Sequence, residues 1–426
     1  MKYYLAIDIG ASSGRHIVGF RRGCELVTDE VYRFSNGVIK QDGHLVWDAE
    51  TILENIKKGI DEAKKKYGDI ESFSIDTWGV DYVLIDKDGA PIYPCYAYRD
   101  DRTESVIEKV HAITPFEKLY KSTGIQFQRF NTVYQLFADK ESGRLENAAD
   151  FLMMPEYFIY RLTGARLHEY TNATTGGLVN ALDKGYDTGI TEALGLPARL
   201  FGALRMPGTP AGEYKGVKAV LCATHDTASA VEGMPCGEKD LFLSSGTWSL
   251  LGAKIPFPRT GEKSRKCNFT NEGGVGYYRY LKNIMGLWII QNIQKQTGLG
   301  FEEMADEARK SKYTKTFDVN APRFLACDDM KREVLDALGE TALPDKDLIN
   351  SVYHSLAKSY ASAVAELEDL LGETRETLVI AGGGAKNRYL NELTAHYTKK
   401  RVSAFPVEAT ALGNLKIQME AKKHEL

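Results

Sequence analysis

The chain has 426 residues, too many for one ordinary hydrophobic core and suited to two domains of about 200 residues each. Hydrophobic residues make up 43% and charged residues 26%, and the formal net charge is -4, so the composition is soluble and globular with no basic field for nucleic acid or anionic lipid. The longest apolar stretches, such as Gly286-Leu-Trp-Ile-Ile290, fall far short of a membrane span, and neither nucleic acid nor a membrane is expected as a partner.

Asp8 stands where a signal peptide needs an apolar centre. The six cysteines, Cys24, Cys95, Cys222, Cys236, Cys267 and Cys327, form no CxxC pair. Metal cages and disulfide frameworks are disfavoured, and a reducing, cytoplasmic setting is expected. The closing His-Glu-Leu reads as a frayed end.

In chain order, Tyr3–Ile9 reads as a buried strand ending in an acid, Gly10–Gly14 as a tight turn, and Arg15–Phe20 and Leu26–Phe34 as the strands of a meander. Thr51–Tyr67 carries a helical apolar face of Ile52, Leu53, Ile56, Ile60 and Ala63. Ser72–Thr77 and Asp81–Ile85 read as strands. Thr103–Thr163 reads as mainly helical with breaks near Gly124 and Pro155, and Tyr170–Leu182, polar and rich in Thr and Asn, as irregular or short strands. The pattern then restarts. Ala219–Cys222 reads as a strand, His225–Glu232 as a short helix, and Leu241–Ser245 with Trp248–Ala253 as a second strand-turn-strand unit. Helices are expected at Met285–Gln296, Glu302–Lys310, Met330–Leu338 and Leu348–Leu371, then a strand at Leu378–Ala381 and a helix at Asn387–Tyr397. Each half opens on strands joined by a small Gly/Ser/Thr turn, a hint of duplication. The boundary is placed near Pro235-Cys-Gly237, giving domains 1–235 and 236–426.

Five segments carry candidate chemistry, each with a plainer rival. In Asp8-Ile-Gly-Ala-Ser-Ser-Gly14, Gly and Ser let backbone N–H groups approach a phosphate, and Asp8 is placed to hold Mg²⁺, directly or through water; the rival is a hairpin capped by Asp8. The segment is neither a P-loop nor a GxGxxG fingerprint. Ser244-Ser-Gly-Thr-Trp248 repeats the context, so the two turns together suggest two jaws on one phosphate chain. Gly382-Gly-Gly384 suits backbone passing close to a flat ligand such as an adenosine, or a flexible strand-to-helix turn. Asp226 in Thr224-His-Asp-Thr-Ala-Ser-Ala230 sits at a helix start, where it either accepts a proton from an alcohol or caps the helix. In Ser74-Ile-Asp-Thr-Trp-Gly-Val-Asp81 with Tyr98-Arg-Asp-Asp-Arg-Thr103, Trp78 and Gly79 offer a wall for a sugar; the rival is a core tryptophan beside a salt-bridged loop.

Taken together these segments closely resemble the rhamnulokinases, a branch of the FGGY carbohydrate kinases, from residue 3 to about residue 418. The first half matches through Asp8–Arg15, Ile75–Asp81, Ala97–Asp100, Gly124–Phe127, Asn131–Leu136 and Tyr170–Thr175. The second matches through His225–Val231, Ser244–Ser249, Asn271-Glu-Gly-Gly274, Lys282–Trp288, Gly382–Gly384 and Pro406–Thr410. The TWGVD and HDTASAV pieces favour this branch over xylulokinases and glycerol kinases.

The resemblance implies an α/β fold of two actin-like (ribonuclease H-like) domains with a catalytic cleft between them. It implies the reaction L-rhamnulose plus ATP giving L-rhamnulose 1-phosphate plus ADP, in L-rhamnose catabolism, with Mg²⁺ accompanying ATP. By matched position Ala11, Ser12, Ser13, Gly14, Arg15 and Thr247 contact the phosphates, and Gln291 and Gly383 the nucleotide. Gly79, His225, Asp226, Thr227 and Asn283 line the sugar site, and Asp226 is the proton acceptor. A monomer or weak homo-oligomer is expected. Relatives are expected to continue through further helices after Pro406–Gly413. Rival functions are a kinase for another ketose, such as L-fuculose or xylulose, and a non-catalytic actin-like sugar or nucleotide sensor. The sensor is disfavoured by the presence of Asp8, Asp226 and Thr247.

Overall fold

A computed structural model describes residues 1–325, 327–405 and 408–421. Pro406 and Val407, at the head of the last matched motif, and the closing His-Glu-Leu lie outside the described residues. The chain divides into two compact units, Met1–Gly233 with Pro256–Arg279 and Thr410–Leu426, and Met234–Ile255 with Tyr280–Ala409. The first crossing falls two residues from the expected boundary, but a single cut near 235 does not describe the chain. Pro256–Arg279 and the C-terminal segment belong with the N-terminal half because their apolar and polar partners lie there.

In the first unit, β1 (Tyr3–Ile9) pairs antiparallel with β2 (Ser13–Arg22), and β2 with β3 (Glu25–Ser35). The long amphipathic helix α1 (Ala49–Tyr67) follows. The Asp48 carboxylate accepts from Thr51 N at its start, Gly68 with φ 72° ends it, and Lys64, Lys65 and Lys66 face the negative pole of its last turn. Next, β4 (Ile70–Thr77) pairs parallel with β1. The edge is completed by β5 (Pro210–Tyr214) and β6 (Val217–Val220), giving the order β5-β6-β4-β1-β2-β3. β1 is buried from Tyr4 to Ile9, as a central strand covered on both faces must be. On one face Leu5, Ile7, Ile9 and Val18 join the core formed with Ile52, Leu53, Ile56 and Ile60 of α1. On the other, Tyr4, Ala6 and Ile17 pack with Ala411 and Leu415 of the C-terminal helix. α2 (Asp226–Gly233) closes the main run of this unit.

The second unit repeats the plan. β7 (Leu241–Ser245) pairs antiparallel with β8 (Trp248–Ile255), and β9 (Tyr278–Met285) enters from the first unit with its first two residues. Helices α3 (Trp288–Thr297) and α4 (Asp345–Leu371) precede β10 (Thr377–Ala381), which pairs parallel to β7, and β11 (Arg401–Phe405), which pairs parallel to β10. The strand order β9-β8-β7-β10-β11 matches β3-β2-β1-β4-β6, which bears out the hint of duplication. The final helix, α5 (Ala409–Ala421), is the one that packs on β1.

Three local readings are corrected. Pro155 does not break a helix; it occupies the first turn of Met154–Thr163, where a missing N–H costs nothing, just after a strand at Ala148–Met153. Met285 ends β9 rather than opening α3. Tyr170–Gly176 is ordered helical backbone, Tyr170–Ala173 then Thr174–Gly176, buried and tied by side-chain oxygens. The six cysteines are unpaired, and among the described residues no helix is long and apolar enough to cross a membrane.

One buried group couples this core to pH. His16 on β2 is fully buried against Gly59 of α1, where a Cβ would lie 2.2 Å from the ring. Burial pulls its imidazole down to about 4, although Ile56 O at 3.2 Å from Nε2 opposes this. Its folded value lies below the unfolded one near 6.5, so its contribution is present above pH 6.5 and is lost as pH falls toward 4. His16→Leu removes this dependence. Urea unfolding at pH 7 and pH 5 is expected to show the wild type losing about 2 kcal/mol more than the variant on acidification. Equal losses would contradict it.

Candidate active site

Three carboxylates meet at the end of the first sheet. The β1–β4 register sets Asp8 beside Asp76, on the same face of adjacent parallel strands. An isolated bridge between Thr77 and His225, with Thr77 N donating to Thr224 O at 2.9 Å, brings the next turn alongside and with it Asp226. Asp8 is paired across its hairpin with Arg15, whose Nε and a terminal nitrogen lie 3.0 and 2.9 Å from Oδ2. Asp76 is fully buried; Asn414 of α5 donates to its Oδ2 at 2.5 Å, while its buried Oδ1 has no partner. Burial first, then the neighbouring Asp8, pushes the Asp76 carboxyl well above its ordinary range. Asp8, the expected holder of Mg²⁺, offers hard oxygen donors, as does the orphaned Asp76 Oδ1, but among the described residues the three carboxylates do not close to within 4.8 Å of one another as a ready cation cage.

Asp226 opens α2, but its carboxylate does not cap it. Ala228 N and Ser229 N bond to His225 O instead. The side chain accepts Thr227 Oγ1 at 3.0 Å on Oδ1, and His225 Nε2 stands 3.4 Å from the same oxygen. The side chain is 31% exposed. Thr227 thus engages Oδ1 by a hydrogen bond, and His225 Nε2 lies near the same oxygen without reaching hydrogen-bond geometry. The turn itself is held by Glu169, which sequence reasoning passed over. Its buried carboxylate accepts Thr171 N and Oγ1 at 2.7 Å each and Asn172 N at 3.1 Å, together with Thr224 N at 3.2 Å and Thr224 Oγ1 at 2.7 Å. Burial still keeps the Glu169 carboxyl above its ordinary value.

Gly79 lies on the neighbouring turn, where a Cβ would meet Thr175 Oγ1 at 2.9 Å. Val80 takes φ 68°, a strained conformation for a β-branched residue. It is held because its N donates to Thr175 Oγ1 at 3.1 Å and its O accepts Thr132 Oγ1 at 2.8 Å. Trp78 is a core residue whose Nε1 donates to Asp81 Oδ2 at 2.9 Å, joined there by Trp47 Nε1 at 2.7 Å and Tyr98 N at 3.0 Å. The expected sugar wall of Trp78 is thus scaffold for the turn. Burial holds the Asp81 carboxyl up to about 6. Ala11, Ser12, Ser13 and Gly14 form or follow the β1–β2 turn, closed by Gly10 N to Ser13 O at 2.9 Å. Gly14 has a packing reason to be glycine, since a Cβ would lie 2.2 Å from the Phe34 ring.

The second unit gathers another set. Thr247, in the β7–β8 turn, donates to Gln291 Oε1 of α3 at 3.4 Å. Beside it, Gly382 at φ 84° lies against Ser245 O, and a Cβ on Gly384 would lie 2.0 Å from Ser245 Oγ; nothing stands within 4 Å of a Cβ on Gly383. Two of the three glycines are explained by packing, and Gly383 is the open one. Asn283 lies on β9 in this unit, whereas Gly79, His225, Asp226 and Thr227 lie in the first. Gly384→Ala is expected to destabilise the second unit by about 1–3 kcal/mol, while Gly383→Ala melts as the wild type does. Paired thermal melts check this, and equal shifts would contradict it.

The family pattern described as the FGGY family of carbohydrate kinases, N-terminal domain, matches residues 3–227, and that of the C-terminal domain matches residues 241–421. The chain is 42% identical over 439 residues to the rhamnulokinase of Halalkalibacterium halodurans, covering 99% of this chain and 94% of that one. It is 39% identical to the rhamnulokinase of Bacillus subtilis, covering 99% and 90%. Its fold is shared with a xylulose kinase from Lactobacillus acidophilus, at TM-score 0.81 and 14% identity over 100% of this chain and 90% of the other. It is shared too with the Plasmodium falciparum glycerol kinase, at TM-score 0.78 and 15% identity over the same shares. The chain belongs to the FGGY family of carbohydrate kinases, with that family's pair of actin-like, ribonuclease H-like domains.

Proposed function

We propose that the chain phosphorylates L-rhamnulose, using ATP and Mg²⁺ to form L-rhamnulose 1-phosphate and ADP in L-rhamnose breakdown. The observation that carries this reading is the Asp226 carboxylate, accessible, excluded from capping and engaged through one oxygen only. The similarity to curated rhamnulokinases over nearly the full chain supports the sugar. Six unpaired cysteines suit a reducing, cytoplasmic setting.

The step needs positioning and charge neutralisation more than covalent chemistry. The sugar hydroxyl oxygen attacks the γ-phosphorus, the bond to the β-phosphate oxygen breaks, ADP leaves, and the hydroxyl proton passes to Asp226 Oδ2. Thr227 holds Oδ1 during the transfer, with His225 beside it. Gly79 and Asn283 contact the sugar. Ala11, Ser12, Ser13, Gly14, Arg15 and Thr247 contact the phosphates, and Gln291 and Gly383 the rest of the nucleotide. Mg²⁺ held at Asp8 neutralises phosphate charge when bound. The two kinase domains are read as 1–235 and 236–426, although Pro256–Arg279 and the segment from Thr410 on pack in the first compact unit.

A coupled ADP-release assay over a panel of ketoses and glycerol tests the reading. L-rhamnulose is expected to give the highest kcat/KM. A tenfold preference for xylulose, L-fuculose or glycerol, about 1.4 kcal/mol of transition-state discrimination, would overturn the sugar assignment, and no turnover with any sugar would favour a sensor.

A further inference from the structure

The largest fully buried side chain among the described residues is a charged one. Arg279 has no exposure, and every nitrogen of its guanidinium faces a named group. Nε donates to Gly273 O at 2.8 Å, one terminal nitrogen lies 3.0 Å from Glu272 Oε2, and the other lies 3.2 Å from His225 Nδ1. A buried guanidinium without a counterion would be prohibitive, so Glu272 answers its charge. Burial alone would raise the Glu272 carboxyl, but it is held below its ordinary value, with the Arg279 guanidinium the leading opposing charge. The groups facing the His225 ring are thus Arg279 and Glu272 on one side and Asp226 on the other.

A guanidinium offers donors and no lone pair. In the Arg279–His225 contact Nδ1 is therefore the acceptor, and the ring proton sits on Nε2, which stands 3.4 Å from Asp226 Oδ1. The competing tautomer would donate from Nδ1 to Glu272 Oε2. Those atoms are 3.3 Å apart, and neither this contact nor that of Nε2 with Asp226 Oδ1 has hydrogen-bond geometry, so the Arg279 bond to Nδ1 at 3.2 Å, in which Arg279 can only donate, decides between the tautomers. An imidazolium would set an Nδ1 proton against the guanidinium.

We propose that Arg279, paired with Glu272, is a positioning residue for phosphoryl transfer: it fixes His225 as the Nε2–H tautomer, whose ring proton faces Asp226 Oδ1 at 3.4 Å and leaves Oδ2 for the sugar hydroxyl. The proposal rests on the reading of Asp226 as the base. It also explains why His225 is buried between charged groups, a place from which it orients the base. The residues are 54 positions apart, and Tyr278–Met285 enters as a strand, so periodicity in the sequence carries no sign of the contact.

The test uses full-length protein labelled with ¹⁵N in its eight histidine rings, with His225 assigned by the resonances that vanish in His225→Gln. The wild type is expected to show an unprotonated Nδ1 and a protonated Nε2. A protonated Nδ1 overturns the proposal whether or not any variant folds. Arg279→Lys keeps the charge but loses the fork. It is expected to change the His225 tautomer signature and to lower kcat by roughly 10- to 100-fold, with the sugar KM within about threefold. A fall in kcat with an unchanged tautomer would mean that Arg279 acts only in packing and would overturn the proposal, as would unchanged kcat. The spectrum is read without catalysis, so it stands apart from any failure of Asp226 as the base.

Discussion

The parallel pairing of β1 with β4 is the constraint from which the site in the first unit follows. Register alone sets Asp8 against Asp76, and the Thr77–His225 bridge then fixes where Asp226 begins its helix. Three carboxylates near one sheet edge repel each other, and the structure answers each differently. Arg15 pairs with Asp8, Asn414 bonds Asp76 and burial favours its neutral form, and Asp226 remains partly open to solvent. The same edge of an open α/β sheet, at the carboxyl ends of parallel strands, is where ligands are generally bound.

That edge is completed by the far end of the chain. Besides Asn414, Gln418 of α5 donates to Leu5 O at 3.0 Å and accepts from Ser72 Oγ at 2.7 Å. Gly413 lies so close to Ser229 O that any Cβ would fall 1.8 Å away, so α5 and α2 meet backbone to backbone. The helix carrying Asp226 is held on one side by Glu169 through Thr224 and on the other by α5. The Glu169 brace is buried and hydrogen-bonded and the α5 brace is close backbone packing, which suits a base that must keep one oxygen aimed at substrate.

Much of the frame was legible in the sequence. Tyr3–Ile9, Leu241–Ser245 and Met330–Leu338 have the bounds their apolar runs predict, and Ile52, Leu53, Ile56, Ile60 and Ala63 line the buried face of α1. What was not legible depends on partners distant in the chain. The hairpin at Val38–Gln41 and His44–Trp47 did carry its own signal, two short apolar-rich strands around Asp42-Gly43, and was passed over, whereas α5 has no amphipathic stripe because it is covered by the first sheet. At the site, Asp226 and His225 were legible from their motif. The roles of Glu169, Glu272, Arg279 and Asn414 were not, since each acts through a contact that only the fold creates. The glycines divide the same way: Gly14 and Gly384 are glycines for packing, and Gly383 has open space around it.

The central claim is that Asp226 takes the proton rather than capping its helix, and Asp226→Asn separates the two. Asparagine caps well and keeps the size and an acceptor oxygen, but its amide cannot take the proton at neutral pH. Steady-state turnover at saturating ATP and L-rhamnulose, with the melting temperature measured alongside, is expected to show a fall of roughly 10²–10⁴ in kcat with the fold intact. A variant that keeps most of its turnover would contradict the account.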